Sequence, residues 1–589
     1  IKQIQVQLLC LILHRRLLKM NRNKKMSDSG LPKIDIKRTG FPIKASFLDT
    51  FNAGELFPIC DPIEVLPGDT FSLDLSAVVR MSTPQTPVMD SAFIDTYAFF
   101  VPYRLVWDHL KQFFGERDSS GWDPTTSYEI PQMTLNSGDA RLGSLAAHFG
   151  IAPAFSAETG ESVAGLYYKV NALPFRSYHS IYNRWFRSSH IQRPTPIPKT
   201  DNGQDNYGEL VALKKVDKFH DTFTDALQDP QFGDAVTIPI GDLPVFSMDQ
   251  VTFLSGGLSA SGLVESPLRL NVQNAGWSDY GEGISLGVSS GTSDQRIQTM
   301  QVQGSANSTY NDTDINVYPY NLCATGSGAR GGTIDDLRYA FAIQNRLIRQ
   351  NLVGERYTEF IRGFFGVVSP DASLQDPQYL GGSRFAVGMT QVVQNSSTDE
   401  ESPQGNVAGL SKTVDSSHLF THSFTEHGFI ILLGCARTQQ RYSRGLNKIW
   451  TKKDPLDFYD TSLAFIGYQP ILKKELAFQW GTGNPDNPID EQVFGYQEAF
   501  YDYRFMPSKA KNYFLSGHNR SLDIWHYGEN LQNPVLNSAF LEQGDEEVDR
   551  TLAISEQTAG FQFFGDFYLD IYTSRTMPLF SQPGLRSFF

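Results

Sequence analysis

Charge is scarce in this 589-residue chain: Asp, Glu, Lys and Arg make up 19%, below the roughly 25% of an ordinary soluble protein. Cysteine is scarcer still. Cys10, Cys60, Cys323 and Cys435 lie far apart and fit no CxxC or metal-ligand spacing. They read as free thiols of a protein made in a reducing cytoplasm. No apolar run approaches the ~20 residues of a membrane helix. The run at residues 8–13 stops at His14-Arg15-Arg16 and lacks the small-residue cleavage site of a secretory signal. GxSxG, P-loop and catalytic-cysteine signatures are all missing, so an enzyme reading has little support and no cofactor is expected. Strands do not alternate with helices, which disfavours a parallel α/β fold.

What is present is aromatic and apolar. With 40% hydrophobic residues, 42 Phe and 25 Tyr, the chain has ample material for a core, and wholesale disorder is excluded. Its length exceeds the ~250–300 residues at which one compact core stops growing, so large excursions or several domains are required. Aromatic-rich, weakly charged loops suit surfaces that partners cover. The net charge of −14 confines any nucleic-acid contact to a local patch.

Period-two alternation marks half-buried strands. Thr70-Phe-Ser-Leu-Asp-Leu-Ser76 places Phe71, Leu73 and Leu75 on one face, after a Pro67-Gly68-Asp69 turn. Residues 93–101 form a second strand stopped by Pro102, and residues 429–436 a continuous apolar one. Phe567, Leu569 and Ile571 alternate with Tyr568, Asp570 and Tyr572 near the end. Two helices are expected. One starts at a Thr333 cap, with Ile334, Leu337, Phe341 and Ile348 on one face. The other starts at Pro174 and stacks Phe175, Tyr178, Tyr182, Trp185 and Phe186. The pattern predicts a mainly β fold: an antiparallel sandwich with long inter-strand loops, a few helices and a large Gly/Ser-rich insertion.

Three motifs invite chemistry. Gly326-Ser-Gly328-Ala-Arg-Gly331 matches GxGxxG but lacks the preceding buried strand and βαβ frame of a dinucleotide site, so it reads as a hinge. His422-Ser-Phe-Thr-Glu426-His427, near His418, has one residue too many for an HxxEH zinc helix and adjoins a strand; it reads as strand-edge packing. Asp335/Asp336 and Glu546/Glu547 read as a helix first turn and a polar loop, not as a glycosidase pair.

The expected organisation follows from shifts in composition. Residues 1–19, which open on Ile1 without a methionine, are expected to be a non-native leader. Residues 20–50 form a basic arm, where Arg22, Lys24, Lys25, Lys37 and Arg38 are the candidates for phosphate contact. Residues 51–253 and 333–589 form the two parts of the main domain. Residues 254–332, rich in Gly, Ser, Thr, Asn and Gln, form a surface insertion.

Several stretches, in order, carry a resemblance. They are Pro67-Gly-Asp-Thr-Phe71; Pro87-Val-Met-Asp90 with Asp95-Thr-Tyr-Ala-Phe-Phe-Val-Pro102; and Asn171-Ala-Leu-Pro-Phe-Arg176 with Tyr182-Asn-Arg-Trp-Phe-Arg187. Next come Lys218-Phe-His-Asp-Thr-Phe-Thr224, Arg356-Tyr-Thr-Glu-Phe-Ile-Arg362 and Phe365-Gly-Val-Val-Ser-Pro-Asp371. Ser423-Phe-Thr-Glu-His-Gly428, Val493-Phe-Gly-Tyr-Gln-Glu498 and Met577-Pro-Leu-Phe-Ser-Gln-Pro-Gly584 complete the set. From residue 41 onward the chain resembles the major capsid proteins of microviruses, gokushovirus branch.

The resemblance implies an eight-stranded antiparallel jelly roll lying tangentially in a T = 1 icosahedral shell built from pentamers of the chain itself. It also implies a circular single-stranded DNA genome, an internal scaffolding protein, a DNA pilot protein and a host-cell surface receptor as partners. The virion is then the implied location, with assembly in the host bacterial cytoplasm. Residues 254–332 coincide with the insertion that forms a threefold protrusion proposed to meet the host. A jelly-roll carbohydrate-binding protein or adhesin is the alternative, because lectins share the fold.

Overall fold

The computed structural model describes residues 38–580, apart from 117–127, 157–162, 202–206, most of 234–333, 371–373, 396–403, 485–486, 554–560 and a few single positions. Two compact units divide the chain.

The larger unit comprises residues up to 230 and from 353 onward. Ten strands build its two main sheets: β1 Thr39–Phe51, β2 Glu55–Pro58, β3 Ile63–Val65, β4 Thr70–Met81, β5 Ala92–Pro102, β6 Lys214–Lys215, β7 Gln378–Ala386, β8 Thr413–Ser423, β9 Gly428–Thr438 and β10 Phe563–Arg575. The first sheet runs β1-β10-β4-β8, all antiparallel. The second runs β7-β5-β9-β2-β6, with β3 also paired to β9. Mainly β, antiparallel and layered as a sandwich, this is the fold class that the alternation predicts.

Burial explains each strand's sequence. In β10, Phe563, Phe567, Leu569 and Ile571 are buried while Asp566, Tyr568 and Tyr572 face out. On β4, Phe71, Leu73, Leu75, Ala77 and Val79 point the same way, and these rows meet Ile94, Ala98, Phe100, Ile430 and Leu432 of the second sheet in one core. The opposite faces of β5 and β9 are covered as well. Phe99, Val101, Phe429, Ile431, Leu433 and Cys435 pack on a helix α1, Leu173–Ile181. The run at residues 429–436 is therefore continuous because both faces of β9 are dry. Out on the first sheet, hydroxyls pair across strands: Thr70 with Ser423 at 2.8 Å, Ser72 with Thr421 at 3.0 Å and Ser76 with Ser416 at 2.9 Å.

Two expectations change. Residues 39–50, assigned to the basic arm, are most of strand β1 and pair with β10 from Thr39↔Arg575 to Phe51↔Phe563. Pro42 and Lys44 disguised the strand, yet both are tolerated on a sheet edge. Glu546 and Glu547 open a short helix, Glu546–Asp549, rather than a loop.

The second unit spans Gln231–Leu352, starting before the expected insertion and running past it. Short antiparallel pairs recur in it: Val245–Ser247 with Leu322–Ala324, and Leu270–Gln273 with Asn316–Pro319. A helix α2, Ile334–Val353, forms where the Thr333 signal predicts it. Among the described residues its apolar side is only partly covered: Ile334 is 71% and Phe341 61% exposed, while Ile348 is half-buried. A third helix α3, Tyr357–Phe365, belongs to the larger unit.

Candidate functional site: an exposed apolar surface and an aromatic cleft

The sequence-predicted motifs disperse. Arg22, Lys24, Lys25, Lys37 and the GxGxxG segment lie outside the described residues. Arg38 stands just before β1, with its guanidinium beside the Gly68 turn. His422 and His427 flank the β8–β9 turn, where His427 stacks on Phe114 at 4.6 Å and Glu426 pairs with Arg104 at 2.6 Å. His418 Nδ1 lies 2.6 Å from Asp74 Oδ1 on the first sheet's outer face. Among the described residues no group of His, Cys, Asp and Glu is placed to hold a metal ion.

Sequence reasoning missed a surface. In the loops after β9, Ile449, Trp450, Leu456, Phe458, Tyr459 and Ile466 are exposed, and Phe465 is 98% exposed. Trp480 and Met506 join them further along. Large apolar side chains gathered along one stretch of loops are the kind of surface that partners cover. The signal was available as aromatic residues among turn formers, without any periodicity that would bury them.

A second feature is a cleft of about 250 Å³ on the second sheet. Helix α1 runs on into a π-helical turn, Tyr182–Phe186, which sets Trp185 and Phe186 beside the sheet. Phe99 meets Trp185, Phe186 and Tyr379 at centroid distances of 5.8, 5.9 and 5.5 Å, and Tyr97 meets Phe186 edge-on at 5.2 Å. Val216 and Asp217, just beyond β6, and Arg437 of β9 complete the lining, with His220.

Electrostatics tie three strands together beneath it. Asp95 of β5 accepts from Arg384 of β7 at 2.5 and 3.0 Å and from Arg437 Nε at 3.0 Å. Burial opposes its charge, but the two guanidiniums hold the carboxyl below the usual range. Both guanidiniums also flank the Phe219 ring, at 4.6 and 4.4 Å. Asp217 is different. It is 7% exposed, its Oδ1 accepts from Gln192 Nε2 at 2.8 Å, and burial pushes its carboxyl up to about 6.

An antiparallel sandwich with long loops and exposed apolar side chains is the architecture of the virus-coat class of protein, which it shares with lectins. Comparison with known sequences makes that particular. A family model described as capsid protein (F protein) matches residues 29–585, and the chain belongs to that family. Capsid protein VP1 of Bdellovibrio phage phiMH2K is 34% identical over 569 residues, covering 96% of this chain and 98% of that one. Capsid protein VP1 of Spiroplasma virus 4 is 34% identical, covering 94% and 96%. That of Chlamydia phage 1 is 33% identical, covering 95% and 97%. The gokushovirus resemblance stands, and the role is structural rather than enzymatic.

Proposed function

We propose that copies of this chain close into a T = 1 icosahedral shell, through pentamers, around a circular single-stranded DNA genome. The observation that carries this reading is the set of exposed apolar loop residues, from Ile449 to Trp480 and beyond, on a chain whose described residues already pack large apolar cores. Such a surface becomes stable in water once other copies cover it, and contacts around rotation axes close an assembly. An internal scaffolding protein and a DNA pilot protein are the further partners. Assembly takes place in the host bacterial cytoplasm, and residues 254–332 meet a host-cell surface receptor.

Electron microscopy of the purified product, expressed with its scaffolding protein, tests the reading. Uniform closed shells are expected; isolated trimers would favour the adhesin alternative. The basic arm supplies a second readout. Changing Lys24, Lys25, Lys37 and Arg38 to Gln should lower packaged DNA. It should also flatten the salt dependence of single-strand binding by ~0.7 log unit per lost contact. Unchanged packaging and slope would make the arm a solvated tail.

A further inference from the structure

We infer that Trp480 of one copy seats in the aromatic cleft of a neighbouring copy, an inference that rests on the shell reading above. The knob comes first. Trp480 is 87% exposed and has a φ of 56°, a left-handed conformation that a bulky residue adopts only when its surroundings impose it. Those surroundings are visible. Buried Asp490 accepts from Gln479 N at 2.8 Å and Gly481 N at 2.5 Å, clamping the backbone on both sides of the tryptophan. Phe478 then supports the indole at 5.0 Å. Trp450 carries the same ring on an ordinary 3₁₀ turn. Among the exposed aromatic residues described, Trp480 is the one held at positive φ. Strain of this kind marks positions kept for a purpose, and a rigidly presented tryptophan is a typical interface anchor.

The socket fits that ring in size and in chemistry. At about 250 Å³ the cleft falls short of the ~300–1,000 Å³ of small-molecule sites, and suits a single large side chain. Its walls are Tyr97, Phe99, Trp185, Phe186 and Tyr379. Its lining sets Arg437 against Asp217, with His220 beside them. An ammonium would meet Arg437, and an anion would meet Asp217, so a neutral occupant is favoured. Gln192 satisfies Oδ1 of Asp217, which leaves its other oxygen to accept one donor. An indole is flat, neutral and apolar, with one N–H donor and no acceptor. Its π face also accepts a guanidinium such as that of Arg437. Within one chain Trp480 faces solvent, so the pairing joins two copies. Knob and socket occupy different places on the chain, which makes the contact head-to-tail, the kind that closes rings about an axis.

The experiment pairs Trp480→Cys with Tyr379→Cys in the full-length chain, assembled and then mildly oxidised. A ladder of disulfide-linked multimers is expected from the double variant and from neither single one. Trp480→Ala should raise the concentration needed for assembly roughly tenfold or more, with an unchanged melting temperature of the unassembled subunit. Trp480→Phe, which keeps a ring but loses the N–H, should recover only part of that loss. Closed shells without a ladder overturn the contact and leave the shell reading standing. A ladder in open oligomers that never close does the reverse. Normal assembly of Trp480→Ala overturns the anchoring role outright.

Discussion

Asp95, on the second sheet, and Asp217, just beyond its edge strand β6, titrate in opposite senses. Asp95 is held low by Arg384 and Arg437 against the opposing effect of burial. Its contribution to stability is present above the unfolded carboxylate range and is lost as pH falls through its depressed folded value. Asp217, pushed up to about 6 by burial, does the opposite. Between roughly 4 and 6 the folded chain binds the extra proton, so stability falls as pH rises through that window and stays lower above it. Asn at 217 keeps an oxygen for Gln192 and removes the charge. Asp217→Asn should therefore exceed the parent by about 2–3 kcal/mol at pH 7.5 and match it at pH 4, in urea titrations of the unassembled subunit. An equal gap at both pH values would show that the carboxylate's charge is not the cause. Neither Asp217 nor Trp480 stood out in the sequence. Burial sets the first, and a backbone angle the second, and neither is written in residue type.

Among the elements, legibility followed burial geometry. Strands β4 and β10 bury one face, so alternation exposes them; β5 and β9 bury two, so length and bounding turns do. β1 was hidden because an edge strand needs no full apolar row: Ile43, Ala45 and Phe47 carry its pattern among Pro42, Lys44 and Ser46. Helix α2 shows the converse. Its periodicity is plain, but Ile334 and Phe341 of the face that the pattern marks are exposed, so periodicity reveals the helix without revealing what covers it. The cleft was illegible because the sheet gathers it from five separate stretches of chain. Strand β9 offers a clean test. Leu432 and Leu433 face different cores, so Leu432→Ala and Leu433→Ala should each cost about 2–5 kcal/mol in subunit unfolding. Ser72→Ala, on the hydroxyl-lined outer face, should stay within about 0.5 kcal/mol. A mild effect at either leucine would mean that β9 is dry on one side only.

At the level of the whole molecule, the family named the role, and the chain's loops say how it is met. Val245–Ser247, just ahead of the insertion, pairs with Leu322–Ala324 close to the insertion's own end, so we expect a Gly/Ser bridge in place of residues 254–332 to span a limited gap at modest entropic cost. We expect that deletion to give closed, DNA-filled particles whose adsorption to the host falls at least tenfold. Loss of shells instead would make the block structural. The pairing of β1 with β10 has a temporal consequence. β10 lies between β1 and β4, so the first sheet lacks its inner strand until residue 575 has left the ribosome. At ~5–20 residues per second that takes roughly half a minute to two minutes, during which β1 has no neighbour. Completion of the first sheet is thus coupled to synthesis as far as residue 575. A nascent chain that has not yet reached residue 575 cannot present a finished sandwich to other copies.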